Sequence, residues 1–251
     1  MKAPEKRVAE LLKAARRILF ITGAGISAES GIPTFRGSTA AFQHGLTEEG
    51  IPFEEALSRP SFQRYPELSW KYFFQLERSL RGKQPNRGHE AIAALEGRGR
   101  QVCVATQNID GLHQQAGSSL VIELHGNLRR LVCTRCAQAE NRVSFDALPA
   151  LPRCPACGEI LRPDIVLYEE RLPEKALDLL AEEEAAGFDL VFSVGTTSFF
   201  NYVVEPVLAA ARRDIPTVEI NPEETPISES VAFRFPGRAG LVLEKLVGGA
   251  V

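Results

Sequence analysis

Short apolar runs recur along the chain at 18–22, 101–106, 120–124, 189–194 and 216–220. Too short for helices and rich in β-branched residues without strict alternation, they predict strands buried on both faces of a parallel sheet. Longer segments with apolar positions at helical spacing, 5–17, 88–95, 173–186 and 202–213, predict helices. Strand and helix in turn imply an α/β, doubly wound sheet. Two stretches break the rhythm: 37–85 lacks a buried strand but carries an aromatic, helix-compatible segment at 62–80, and 131–161 carries four cysteines. The expected division is therefore a sheet domain of residues 1–37, 86–130 and 160–251, with a helical insertion at 38–85 and a cysteine-rich insertion at 131–159 forming a smaller domain. No repeat or low-complexity tract is visible, and 248–251 reads as a frayed end.

At 251 residues and 44% hydrophobic composition the chain can bury a substantial core, which excludes disorder. No apolar run approaches the roughly 20 residues of a membrane helix. Residues 1–17 alternate charge with apolar pairs, as an amphipathic helix does and a secretory leader does not. A net charge of −3 offers no basic surface for phosphate backbones, so nucleic acid is not expected as a partner. The expected form is a cytoplasmic monomer without membrane association.

Cys133-x-x-Cys136 and Cys154-x-x-Cys157 are separated by seventeen residues, the spacing of a four-cysteine zinc ribbon. Four thiolates leave the metal no open position, so one zinc here is structural; a redox dithiol would need only one pair. The fifth cysteine, Cys103, lies in an apolar run and reads as a small core residue. The ribbon's cations, Arg135, Arg142 and Arg153, stand among neutral and acidic residues.

After the first strand, Gly23-Ala24-Gly25-Ile26-Ser27-Ala28 fits the strand-to-helix turn that brings a pyrophosphate against backbone N–H groups. Glycine chosen only for a tight turn is the plainer alternative. The acidic residue expected about 20 positions later for a ribose hydroxyl is missing, since Phe42 to Leu46 is no strand end, which disfavours a hydride-transferring dehydrogenase. Polar residues follow the next two strands, in Gln107-Asn108-Ile109-Asp110 and in Leu124-His125-Gly126, where open α/β sheets place their ligands.

The whole run from Gly23 to Gly37, with the 106–113 and 124–126 segments in order behind it, resembles the sirtuins, the NAD-dependent protein deacylases. The resemblance spans about Val8 to Leu246 and implies a compact, prokaryotic-type catalytic core with a Rossmann-like NAD-binding domain. It further implies that Gly23, Ala24, Gly25, Ile26, Ser27 and Ala28 line the cofactor path. Phe35 would shield the reacting sugar carbon and Arg36 would position phosphates and ribose. Asn108, Ile109 and Asp110 would receive the nicotinamide, Asn108 with a catalytic part, and Gln107 its ribose. Gly195, Thr196, Thr197 and Ser198 would lie at the phosphates, Asn221 at the adenosine ribose and Ala239 at the adenine. Val166, Leu167 and Tyr168 would pair with the substrate backbone as an added strand, with Tyr72 and Phe73 near the acyl chain. At Glu169 the chain departs from the family's glycine.

His125 would be the general base. In the implied reaction the acyl-lysine oxygen attacks the ribose carbon as nicotinamide leaves, and a base then activates a ribose hydroxyl against the resulting imidate. Histidine suits this because its ordinary pKa of about 6.5 leaves much of it neutral near pH 7. His113 reads as structural, and His44 and His89 carry no signal. Acyl-lysine proteins or peptides are the expected partners, with O-acyl-ADP-ribose as product. Branches that remove succinyl or malonyl groups carry a Tyr-x-x-Arg pair; here Tyr72 is followed by Gln75 and Phe73 by Leu76, so neutral acyl groups are expected, acetyl first. Protein ADP-ribosylation and a catalytically silent NAD-binding module are the other readings.

Overall fold

The computed structural model of the chain describes residues 2–34, 46–97 and 99–249. In chain order its strands are β1 (Arg17–Thr22), β2 (Gln101–Thr106), β3 (Leu120–Glu123), β4 (Gly126–Cys133), β5 (Ala139–Asn141), β6 (Leu161–Ile165), β7 (Leu190–Val194), β8 (Thr217–Ile220) and β9 (Phe233–Phe235). Its α-helices are α1 (Ala3–Ala14), α2 (Ala24–Ser27), α3 (Phe53–Ala56), α4 (Arg59–Arg64), α5 (Pro66–Leu80), α6 (Arg87–Ala94), α7 (Leu112–Ala116), α8 (Glu174–Ala185), α9 (Asn201–Arg212) and α10 (Ala239–Gly248).

Six parallel strands in the order β3-β2-β1-β7-β8-β9 form the main sheet. The order turns back between β1 and β7, and beyond the carboxyl ends of those two strands lies the switch-point crevice where such sheets bind ligands. Alternate strand residues feed two cores. Ile18, Phe20, Val102, Val104 and Phe192 pack with α1, α6 and α10, while Leu19, Ile21, Cys103 and Val191 pack with α8 and α9. All five expected strands are present. Among the described residues no helix is long and apolar enough to cross a membrane.

The aromatic segment at 62–80 is split: α4 ends at Arg64 and α5 begins at Pro66, because Tyr65 ahead of the proline is kept out of the helical region (φ −137°, ψ 64°). A second, antiparallel sheet in the order β5-β4-β6 joins two stretches that hydropathy had grouped with the large sheet, since Gly126 pairs with Ile165 and Asn127 with Asp164 before a bulge. Strand β9 and helix α10 were not foreseen. The helical insertion and the small sheet share one core of Phe62, Trp70, Phe73, Leu131, Phe145 and Leu167, in which Trp70 Nε1 donates to the Leu161 carbonyl at 2.9 Å.

Candidate active site

Two strand-end loops meet in the crevice. Gly23 N donates to Val194 O at 3.1 Å and Gly25 N to Gly195 O at 2.8 Å. A Cβ on Gly25 would sit 2.7 Å from Gly195 Cα, and one on Gly195 (φ +60°) 2.5 Å from Ile26 N. Glycine is thus demanded by the approach of two backbones, and the amides of Gly23 and Gly25 are engaged with the neighbouring loop. Ile26 and Ser27 are buried, whereas Ala24 and Gly25 are half-buried and Ala28 exposed. Across the crevice Thr196 donates its hydroxyl to Gln107 Oε1 at 2.8 Å, and Asn221 Nδ2 donates to Thr196 O at 2.7 Å. Thr197 is exposed, while Ser198 is buried with φ +50° and Ala239 is buried at the start of α10. Glu29 reaches that end and accepts from Gly240 N at 2.6 Å.

His125 stands at the junction of the two sheets. Its main-chain oxygen accepts from Val166 N at 2.9 Å, and its Nδ1 lies 2.9 Å from the Gln107 carbonyl. A carbonyl only accepts, so Nδ1 carries the proton and Nε2 is the basic nitrogen. Burial pushes the imidazole's pKa below its ordinary value, and the Gln107 carbonyl only partly opposes this. Gly126 (φ +76°) follows, and a Cβ there would fall 1.9 Å from Asp164 O.

Beneath the glycine turn lies a buried polar network. Asn108 Nδ2 donates to Gly23 O and to Ser27 Oγ, both at 3.1 Å, and Ser27 donates to Asp110 Oδ2 at 2.7 Å. Asp110 Oδ1 accepts from Leu112 N at 3.0 Å; burial raises its pKa against those two hydrogen bonds. His89, its pKa lowered by burial to about 4, stands 3.4 Å from Ser27 Oγ and edge-on to His113 at 4.8 Å between ring centres. His113 Nε2 meets Thr22 Oγ1 at 3.0 Å, and Nδ1 is buried without a partner among the described residues. That places the proton on Nε2 and fits a structural role for His113. Ile109 is half-buried beside the small core, and its carbonyl accepts from Leu128 N.

The segment expected to hold substrate runs on from β6. Leu167 is buried and Tyr168 is 42% exposed; Tyr168 N donates to Leu57 O and its carbonyl accepts from Arg59 N, tying the segment to α4. Glu169 adopts φ +66°, the left-handed backbone a glycine would take, in a turn closed by Glu170 N on Leu167 O. The Glu170 carboxylate takes Arg162 at 2.6 and 2.9 Å and Leu167 N at 2.9 Å, interactions that lower its pKa despite burial. Tyr72 and Phe73 lie in the small core below; Tyr72 donates its hydroxyl to Glu49, whose other oxygen pairs with Lys71.

The four cysteine sulfurs lie within 4.8 Å of one another, with pairs at 3.4 and 3.6 Å. A tetrahedron of Zn–S bonds of about 2.3 Å requires sulfurs about 3.8 Å apart, so the cluster fits zinc. Amides of Arg135 and Cys136 point at Cys133 Sγ at 3.4 Å and favour its thiolate.

The profile of the Sir2 family matches residues 23–201. The chain belongs to the Sir2 family. It is 47% identical to NAD-dependent protein deacylase 2 of Pseudomonas aeruginosa, over 98% of this chain and 96% of that protein. Among solved structures, an ADP-ribose complex of a Sir2 homologue mutant superposes with a TM-score of 0.88 at 36% identity, covering 97% of this chain and 95% of the other. A Sir2 complex with p53 peptide and NAD+ superposes at 0.83 and 29%, covering 99% and 98%.

Two side chains of this Sir2 site escaped sequence reasoning. His89 lies far from the glycine turn in sequence, and Tyr202 opens α9, where its hydroxyl meets His125 Nε2 at 2.7 Å. Neither sits in a motif, and only the register of α6 and α9 against the sheet brings them in. Phe35, Arg36 and His44 lie outside the described residues.

Proposed function

We propose that the chain transfers an acyl group from protein lysine to the ADP-ribose of NAD, releasing nicotinamide and O-acyl-ADP-ribose. The observation that carries this is His125: a ring oriented by the Gln107 carbonyl, with an unprotonated Nε2, beside the loop that Gln107 and Thr196 join to the Gly23 and Gly195 turns. The relatives' names and their ADP-ribose and peptide complexes support it. In this reading Asn108 and Asp110 receive nicotinamide, and Gln107, Thr196 and Asn221 bind ribose hydroxyls. Phe35 shields the reacting sugar carbon and Arg36 positions phosphates and ribose, with Ala239 at the adenine. Val166, Leu167 and Tyr168 hold the peptide. Zinc held by Cys133, Cys136, Cys154 and Cys157 would tie β4 to the 154–157 turn and would supply no chemistry.

Neutral acyl groups, acetyl first, follow from Gln75 and buried Leu76 standing where a cation would be needed, with Lys71 committed to Glu48 and Glu49. The enzyme is read as a cytoplasmic monomer of two domains. His125→Ala should cut O-acyl-ADP-ribose formation by about 10²- to 10⁴-fold while nicotinamide release from NAD and acetyl-lysine peptide persists. Deacylation at the wild-type rate in that variant would overturn the reading, and protein labelled with ADP-ribose in place of freed lysine would replace it.

A further inference from the structure

Helix α10 begins without a cap of its own. Its N-cap residue, Arg238, makes no side-chain hydrogen bond to the helix among the described residues, and its first turn holds no acidic residue. The acceptor that the amides of a helix start need must therefore come from elsewhere. It comes from 211 positions away in the chain: Glu29, in the single turn Ala28–Ser30 that follows α2, accepts from Gly240 N at 2.6 Å. A carboxylate at that end also gains from the helix dipole.

The fit is close. A Cβ on Gly240 would stand 2.7 Å from Glu29 Oε2 and 3.2 Å from Oε1, so both carboxylate oxygens lie over the helix's second residue. The joint has a third member in Asn86, which caps α6 by accepting from Gly88 N at 2.9 Å while its Nδ2 donates to Ile26 O at 2.7 Å and to Ser30 Oγ at 3.0 Å. Gly88 in turn abuts Gly240, with a would-be Cβ 3.2 Å from Gly240 Cα. The end of the glycine turn and the starts of α6 and α10 thus meet at one point, next to Ala239.

We propose that Glu29 is a positioning residue for the adenosine half of the cofactor, fixing the start of α10, and with it Ala239, against the Gly23 turn. Without the carboxylate the helix start is uncapped, and a bound ligand must restore its order. Apparent affinity then falls by the fraction of molecules in which that order is lost. A lost cap shifts such an equilibrium by about 5- to 10-fold.

This rests on the crevice being an NAD site, and the test separates the two claims by reading ADP-ribose affinity in a calorimeter beside the kinetic constants for NAD and an acetyl-lysine peptide. Glu29→Ala is expected to weaken ADP-ribose and to raise KM for NAD by about 5- to 10-fold. Its kcat and its KM for peptide should stay within about 2-fold of wild type, as for a group that acts on cofactor binding alone. Glu29→Gln keeps an acceptor oxygen and should restore most of the affinity. Gly240→Ala reaches the same contact from the helix side: alanine favours a helix over glycine, and the flexible end of Glu29 gives way to the new methyl. That variant should melt no lower than wild type yet bind ADP-ribose as weakly as Glu29→Ala, with no further loss when the two are combined. Glu244→Ala, which breaks the 2.9 Å pair with Arg87 between the bodies of α6 and α10, is the control and should leave affinity unchanged. Wild-type affinity in Glu29→Ala, a loss confined to kcat, or an equal loss in Glu244→Ala would each overturn the positioning role. Wild-type protein that binds no ADP-ribose would overturn the NAD reading beneath it.

Discussion

Gly126→Ala sets a measurable cost on the joint that holds His125. Two penalties add there. A side chain at φ +76° is in the left-handed region, at about 1–2 kcal/mol, and the new Cβ would stand 1.9 Å from Asp164 O, a distance no carbon can keep. Strands β4 and β6 must part by more than an ångström, opening the Gly126 to Ile165 pairing, at about 1–3 kcal/mol by analogy with overpacked cores. The sum, about 2–5 kcal/mol, is a large share of the stability of about 5–15 kcal/mol usual for a folded protein. Gly187→Ala is the control, with φ +82° and nothing within 4 Å of its would-be Cβ; strain less the unfolded-state gain leaves it about 1 kcal/mol. At about 2–4 °C per kcal/mol for a chain of this size, Gly126→Ala should melt about 10 °C below wild type and Gly187→Ala only a few degrees below. Equal midpoints for the two variants would refute the clash, and with it the claim that β6 must pass against the residue after His125.

The pH dependence follows from the buried imidazoles. Because burial holds His125 below its ordinary pKa, acyl transfer should stay level from neutral pH down past 6.5 and fall only below that; an acid limb centred above 6.5 in kcat/KM would contradict it. His89 titrates near 4 in the fold and near 6.5 unfolded, so the unfolded chain gains the proton first. Its contribution is whole above pH 6.5 and is lost as pH falls towards about 4, at up to about 1.4 kcal/mol per pH unit. Asp110, shifted upward, works in the opposite sense below neutral pH. Melting midpoints from pH 7 to 4 should therefore fall, and less steeply in His89→Gln; identical slopes would count against the burial argument. For the metal, one zinc per chain is expected by elemental analysis, lost in Cys136→Ser together with amide-exchange protection of β4 and β5, while the main sheet keeps its own.

Five of the large sheet's six strands were legible because they are nearly continuous apolar runs, each followed by glycine or a polar cluster, whereas β9 is only three residues long with Arg234 in its middle. The small sheet was not, because Gly126 to Cys133 mixes Asn127, Arg129 and Arg130 with Leu128 and Leu131, and a bulge between Asn127 and Leu131 spoils any period of two. Proline at 163 hid β6 in the same way. The four-cysteine cluster was readable from spacing alone, since two chelating turns closing on one ion bring their sulfurs together. Glu169 shows what a single sequence leaves open: the backbone keeps glycine's left-handed geometry under a different side chain, held by Glu170 and Arg162 next to it.

The same joint explains why His89 and Tyr202 could not be found by motif. His125 is held from two sides, its ring by the loop after β2 and its main chain by the segment after β6. The ring's direction is thereby set by how the small sheet seats against the large one. The groups that touch His125 or the buried polar network from elsewhere come from helices packed on the large sheet: α6 for His89 and α9 for Tyr202. Helices need only an apolar stripe to pack, so a polar residue turned towards the strand-end loops leaves no period behind it. Sequence marks the strand ends, where backbone geometry restricts the residue type, and is silent on helix residues whose importance lies in the direction they point.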